Sequence, residues 1–314
     1  MRRFATLVAL LIFAACASAQ SSECDATTLP VHVLGLPSER ISALTPGNFR
    51  VSVSGRIVNS DEIRYGEFPH TTYVLLDASG SMTASRYWEL ARDFAVKIVK
   101  SSSPGEVKIA AFDQNLSKFF DRQDLAMHGL PPFGEILAAE SKEHRTSIYD
   151  AVLHTVQIMP RIAPEDTIVV ITDGGDNASR TSSSEVLNRL RDSHTRLLMV
   201  FVPDNPTVGI PQEIYSAQEL LDVAKQSGGT IFNALPAGSE SRLFIKTGPA
   251  PDAAERLAYV EKLEVWYASL QLGFRLKLPP IAKPAKVKVE LVPKNQNVLL
   301  IYPKEIVPCR QSNR

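Results

Sequence analysis

Three short runs of oxygen-bearing side chains stand at points where the surrounding pattern changes. Asp77-Ala78-Ser79-Gly80-Ser81 follows the apolar run Tyr73 to Leu76, Arg145-Thr146-Ser147 precedes a helical stripe, and Thr172-Asp173-Gly174-Gly175-Asp176-Asn177 leaves the β-branched run from Thr167. The donors are carboxylates and hydroxyls, with no Cys or His among them. Hard oxygen ligands suit Mg²⁺, Mn²⁺ or Ca²⁺ and disfavour zinc or copper. In Asp-x-Ser-x-Ser, alternate side chains of a tight loop point toward one centre. Gly80 and Gly174-Gly175 give the backbone freedom to turn closely around an ion. Two carboxylates, Asp77 and Asp173, roughly neutralise a dication. Neutral hydroxyls at the other positions leave it electrophilic toward one more anionic oxygen from outside. The expected ion is Mg²⁺, with Mn²⁺ or Ca²⁺ as alternatives.

An open parallel sheet can position such loops, because its ligands bind at the carboxyl ends of the strands. The middle of the chain, from about Thr71 to Leu235, alternates strand and helix signals as such a sheet requires. Tyr87, Leu90, Ala91, Phe94, Ala95 and Ile98 fall on one helical face, and Ile148, Val152, Thr155 and Met159 on another. Thr167–Thr172 and Leu197–Val202 are continuous apolar or β-branched runs, and Val107–Phe112 is apolar apart from Lys108, the mark of strands covered on both faces. Ser182 with Glu185, and Ser216 with Glu219, are expected to start two further helices. Gly228-Gly229 is expected to end the second of these, before a strand at Thr230-Ile231-Phe232. The expected fold class is α/β, a doubly wound, mostly parallel sheet.

The flanks read differently. After a turn at Pro46-Gly47-Asn48, Phe49, Val51 and Val53 alternate with polar residues. Beyond a helix at about Asp252 to Tyr267, Leu270, Leu272, Phe274, Leu276 and Leu278 alternate likewise, as do Val287, Val289 and Leu291. Neither flank is long enough to enclose a core alone, so both are expected to build one small β unit beside the central domain. The expected divisions are a signal peptide at 1–19, an N-terminal β flank at 20–70, the central domain at 71–247 and a helix with a C-terminal β flank at 248–314.

Asp77-x-Ser79-x-Ser81 after the first strand, Thr146 before a helix and Thr172-Asp173-Gly174 after a later strand resemble the metal-ion-dependent adhesion site of von Willebrand factor A (VWA) domains. The resemblance covers about Thr71 to Leu235 and implies a Rossmann-like VWA fold. It implies Ser79, Ser81 and Thr146 as hydroxyl ligands and Asp77 and Asp173 as the charge-balancing carboxylates, acting directly or through water. It also implies a protein partner whose Asp or Glu carboxylate completes the coordination. Asp176 is expected no closer than behind the ligands. The flanks, with Leu44-Thr45-Pro46-Gly47-Asn48-Phe49 and Leu299-Leu300-Ile301-Tyr302, resemble an exported bacterial family of VWA-related domains first catalogued in acidobacteria.

The start of the chain has the three-part layout of a secretory signal: Met1-Arg2-Arg3, the apolar run Leu7 to Ala15, and Ala17-Ser18-Ala19. Cleavage after Ala19 leaves 32 basic against 34 acidic side chains, a net charge near −2. That balance does not suggest nucleic acid or an anionic membrane surface as partner. A lipoprotein signal ending before Cys16 is the competing reading. If Cys16 is removed, Cys24 and Cys309 remain, an even pair in an oxidising compartment and an expected disulfide. The protein is thus expected to be exported, secreted or in the cell envelope, without a transmembrane segment in its mature form.

No Walker-type loop, Gly-x-Ser-x-Gly elbow or HExxH helix occurs, and no general base is placed beside Asp77, Ser79 and Asp173. An enzyme is not expected. The alternatives to a binding module are an envelope component whose metal only stabilises the fold, and a metal-assisted hydrolase. His32, His70, His128, His144, His154 and His194 show no ligand spacing and are expected at surface or loop positions. Arg275, Lys277, Lys283, Lys286 and Lys288 are expected on the solvated faces of strands.

Overall fold

The continuous apolar runs become strands with no exposed residue, and they form the middle of a six-stranded sheet. The computed structural model describes residues 27–60, 62–68, 70–85, 87–101, 105–128, 145–159, 166–202, 211–233, 251–294 and 297–308. The expected signal segment at 1–19, Cys16, Cys24, Cys309 and His144 lie outside these residues.

The N-terminal flank gives β1 (Thr27–Leu34), the short helix α1 (Ser38–Ser42), β2 (Phe49–Val53), β3 (Arg56–Val58) and β4 (Glu62–Glu67). The central domain follows with β5 (Thr72–Asp77), α2 (Gly80–Ala84), α3 (Trp88–Lys100), β6 (Val107–Phe112), β7 (Phe120–Asp121) and α4 (Arg122–His128). It continues with α5 (Ile148–Ile158), β8 (Thr167–Thr172), α6 (Ser183–Asp192), β9 (Arg196–Phe201), α7 (Pro211–Gln226) and β10 (Ile231–Asn233). Helix α8 (Ala253–Ser269) leads to β11 (Leu272–Leu278), β12 (Ala285–Leu291), β13 (Leu299–Ile301) and β14 (Glu305–Ile306).

The sheet order is β10-β9-β8-β5-β6-β7, parallel except for the edge strand β7. Alternate residues of each strand serve opposite faces. Val74, Leu76, Ile109, Ala111, Val169 and Ile171 pack with Phe94 of α3 and with Leu263 and Tyr267 of α8. Tyr73, Leu75, Ala110, Phe112, Ile168 and Val170 pack with α5, α6 and α7 through Val152, Leu190 and Leu220. The sheet is therefore doubly wound, as the alternation of strand and helix signals requires.

Both flanks meet in one β-sandwich, as expected. One sheet runs β13-β1-β11-β4 and the other β14-β12-β2-β3, so each contains strands from both ends of the chain. Leu29, Val31, Val51, Phe274, Leu276, Val287 and Val289 form its shared core. The lysines of β12 alternate outward, and Lys286 and Lys288 are exposed.

The sandwich docks against the amino-terminal ends of the parallel strands. Arg196, the first residue of β9, is buried and donates to Thr167 Oγ1 at 2.6 Å, to His32 of β1 at 2.6 Å and to the Leu270 carbonyl at 3.0 Å. Tyr267 of α8 and Thr72 of β5 share a 3.0 Å hydroxyl contact beside them. His32, expected at a surface or loop position, is instead buried on β1 in this joint, at 2% exposure. His70 lies in a loop as expected but is buried there too, at 4% exposure. Periodicity alone cannot reveal this, because the pocket that covers them is assembled from distant segments.

One helix start differs from expectation. Helix α7 begins at Pro211, five positions ahead of Ser216. Proline suits a first helical turn because its fixed φ is already helical and its missing N–H is not needed there. Ser182 does cap α6, its Oγ accepting from Glu185 N at 3.2 Å. The reciprocal box occurs at α8, where Asp252 and Glu255 each accept from the other's backbone N–H. Among the described residues no helix is long and apolar enough to cross a membrane.

Candidate metal centre

At the opposite edge from the joint, the loops after β5 and β8 lie side by side, since Leu76 pairs with Ile171. Asp77 closes β5 and is fully buried. Its Oδ1 accepts from Ser79 N at 2.9 Å, which folds the loop back on itself, and its Oδ2 accepts from Thr172 Oγ1 at 2.6 Å. Thr172 Oγ1 in turn accepts from Gly174 N at 3.0 Å, while Gly174 takes a φ of +104° that favours glycine. The aspartate is thus held rigidly from both sides.

Ser79 stands at the N-cap of α2, yet its side chain makes no capping hydrogen bond. Its hydroxyl lies instead 3.2 Å from that of Ser81. Ser79 is fully buried and Ser81 is exposed, so the hydroxyl pair runs from the interior to the surface. Asp173 follows directly after β8 and is half-buried.

Thr146 is buried just ahead of α5. Asn177 clips it: Thr146 N donates to Asn177 Oδ1 at 3.0 Å, and the Thr146 carbonyl accepts from Asn177 N at 3.0 Å and Ala178 N at 3.1 Å. The loop that carries Asp173 therefore also holds Thr146. On the other side, Ser147 N donates to the Asp113 carbonyl at 2.8 Å, which fastens the same segment to the end of β6. Thr155, the competing threonine, lies mid-helix with its Oγ1 given to the Ala151 carbonyl at 2.7 Å. Asp176 acts as a brace, accepting from Tyr149 N at 3.0 Å and from the Ser179 hydroxyl at 2.7 Å.

The electrostatics favour a cation. Burial, and then the charge of Asp173, push the Asp77 carboxyl up to about 7, against hydrogen bonds from Thr172 and Ser79 that pull it down. Two carboxylates converging in a buried corner repel each other, and a dication between them removes that conflict. Among the described residues no three His, Cys, Asp or Glu side chains gather anywhere. A metal held here would need hydroxyl ligands, and Ser79, Ser81 and Thr146 are the candidates to supply them. The donor set fits a hard divalent ion.

Sequence reasoning missed Thr172, Asn177 and Asp113 as parts of this architecture. Thr172 had a signal, standing directly before Asp173 at the end of a buried strand. Asn177 and Asp113 read as ordinary turn residues.

Comparison with known proteins places the centre in context. Residues 66–216 match the model of a family described as "VWA domain containing CoxE-like protein". Among solved structures, an aerotolerance-related membrane protein from Bacteroides fragilis NCTC 9343 is 16% identical, with 62% of this chain and 99% of that one covered and a TM-score of 0.37. BatB from Bacteroides thetaiotaomicron is 14% identical, covering 62% of this chain and 98% of that one at a TM-score of 0.38. Proximal thread matrix protein 1 from the mussel byssus, solved with a zinc-occupied MIDAS motif, is 14% identical, covering 68% and 49% at a TM-score of 0.44. The search of curated proteins finds no match.

Proposed function

The chain is a VWA-domain protein, and from that premise we propose that it is an exported, metal-dependent protein-binding module. Asp77, Ser79, Ser81, Thr146 and Asp173 would hold the ion, Mg²⁺ before Mn²⁺ or Ca²⁺. Once bound, the ion supplies an electrophilic coordination position for an Asp or Glu carboxylate of a partner protein. The observation that carries this reading is the exposure of Ser81 beside buried Ser79 and Asp77. The donor set is sealed on its inner side and open on its outer side, where a partner can approach.

The same geometry argues against catalysis. Both carboxylate oxygens of Asp77 are engaged, one by Ser79 N and one by Thr172. We therefore read the aspartate as a fixed charge and scaffold, its remaining lone pairs directed to a cation rather than to a substrate proton.

Export is proposed on the signal-like start, and with it a Cys24–Cys309 disulfide. Its support is topological. Thr27 pairs with Leu278 at the end of β11, and Ile306 pairs with Ala285 at the start of β12. Leu278 and Ala285 flank one short connection, so the chain enters and leaves the sandwich at the same end.

A pull-down from envelope extract tests the binding role, with Mg²⁺, with EDTA, and with Asp173→Ala in Mg²⁺. Partners retained only by the wild-type protein in Mg²⁺ are expected. Identical partners in all three arms refute metal-dependent capture.

A further inference from the structure

Asp113 is the first residue past β6, and Phe112 is in register with Asp77 on β5. Its neighbours are the loops that carry the proposed ligands. Ala78 N donates to the Phe112 carbonyl at 2.8 Å, and Ser147 N donates to the Asp113 carbonyl at 2.8 Å. The Asp-x-Ser-x-Ser loop therefore lies on one side of it and the Thr146 segment on the other.

Its side chain is 1% exposed. Oδ1 accepts from Asn115 N at 2.7 Å, but Oδ2 is buried with no hydrogen-bond partner. This sets it apart from the carboxylates around it. Asp77 has both oxygens engaged by Ser79 N and Thr172, Asp150 by Arg180 N and Thr181 N, and Asp176 by Ser179 and Tyr149 N. An unsatisfied buried carboxylate oxygen is costly, and native proteins rarely keep one without a use. Asn115 N needs only one oxygen to close its turn, and an asparagine would supply that oxygen without the charge. The turn alone does not account for an aspartate at this position.

We propose that Asp113 belongs to the metal centre as an outer carboxylate, with Oδ2 accepting a hydrogen bond from the hydration shell of the bound cation. It is a positioning residue and not a direct ligand. It would orient the shell on the side facing β6, where the Asp-x-Ser-x-Ser loop and the Thr146 segment are fastened to the end of that strand. Groups that orient a metal's immediate surroundings commonly alter its affinity by about ten- to a hundredfold. The proposal rests on the metal-site reading given above.

The test uses the full mature chain and Mn²⁺ as the probe, comparing wild type, Asp113→Asn and Asp77→Ala by calorimetry, with melting curves in EDTA. Asn keeps the oxygen that closes the Asn115 turn, removes the charge and replaces the Oδ2 acceptor with an NH2 donor. The expected result is Mn²⁺ binding weakened about tenfold or more in Asp113→Asn, with a metal-free melting temperature no lower than wild type. Unchanged Mn²⁺ affinity overturns the inference. So does weakened affinity accompanied by a lowered metal-free melting temperature, which marks Asp113 as a fold residue only. If Asp77→Ala loses Mn²⁺ while Asp113→Asn keeps it, the metal site stands and this inference falls. Wild-type protein that takes up no Mn²⁺ sinks both.

Discussion

Arg196 and His32 are joined by a 2.6 Å hydrogen bond that crosses from the parallel sheet to the β-sandwich. Arginine only donates, and the Leu272 carbonyl 3.0 Å from His32 Nδ1 only accepts. The one consistent arrangement is a neutral imidazole with its proton on Nδ1 and its Nε2 lone pair toward Arg196. A second proton on that ring would face a guanidinium.

Acid should therefore loosen the protein. Burial, and then the Arg196 charge, hold His32 well below its ordinary value, and the same causes in the same order lower His70 from 6.5 to about 4. The unfolded chain takes up protons near pH 6.5 that the native state refuses, so stability is full above that pH. It is lost progressively as pH falls from about 6.5 toward 4. The His70 shift alone corresponds to about 3 kcal/mol at the acid end. Denaturant melts at pH 7.5, 6, 5 and 4.5 check this, with His70→Gln flattening the decline. A slope identical in that variant counts against the histidine.

Arg196 should resist conservative replacement. Arg196→Met strands the acceptors on His32, Thr167 and Leu270 and is expected to cost about 2–4 kcal/mol. Arg196→Lys should recover little of it, because a single ammonium cannot reproduce the three-way fork. Urea unfolding of the two variants decides the point, and a lysine variant as stable as wild type refutes it.

Metal should stabilise the sheet domain. Mg²⁺ at about a hundred times its Kd adds roughly 2.7 kcal/mol, a rise of roughly 5–10 °C in Tm for a domain of this size. Ser81→Ala is the informative variant, because Ser81 is exposed and, among the described residues, its hydroxyl bonds that of Ser79 alone. Its metal-free Tm should match wild type while the Mg²⁺ increment shrinks. An undiminished increment removes Ser81 from the ligand set.

Gly228 should not tolerate a side chain. Its φ of +89° is left-handed, and a Cβ there would stand 2.6 Å from Pro303 N in the sandwich. Gly228→Ala is expected to lose about 2–3 kcal/mol through overpacking and backbone strain. Thermal melts test it, and a neutral substitution would show that the joint yields easily.

Peptide mapping without reductant tests the terminal bridge. A linked pair of peptides containing Cys24 and Cys309 is expected from exported protein, and free thiols at both refute it.

The parallel strands were legible because strands buried on both faces must be apolar throughout, as Thr167–Thr172 is. The loops proposed to hold a metal stand out in the sequence because oxygen ligands on a tight turn need Asp, Ser, Thr and Gly at short spacing. The joint was not. His32 and Arg196 lie 164 positions apart, and neither breaks any local pattern. Burial of such a pair is decided by docking, which leaves no periodic trace. Asp113 was hidden for a related reason, since Asp-Gln-Asn reads as a turn until the unmatched oxygen is seen.

The sandwich contains strands from both ends of the chain, and this fixes an order of arrival. β1 pairs with β11 and β13, and β2 pairs with β12, so the first strands made find their partners only when the last ones are available. The Rossmann-like sheet lies wholly between them and can fold while they wait. A truncation before Leu272 would strand β1 and β2 with open edges, the kind that recruit other chains. The pedestal beneath the sheet is thus a completion check, satisfied only by a polypeptide made to its last strand.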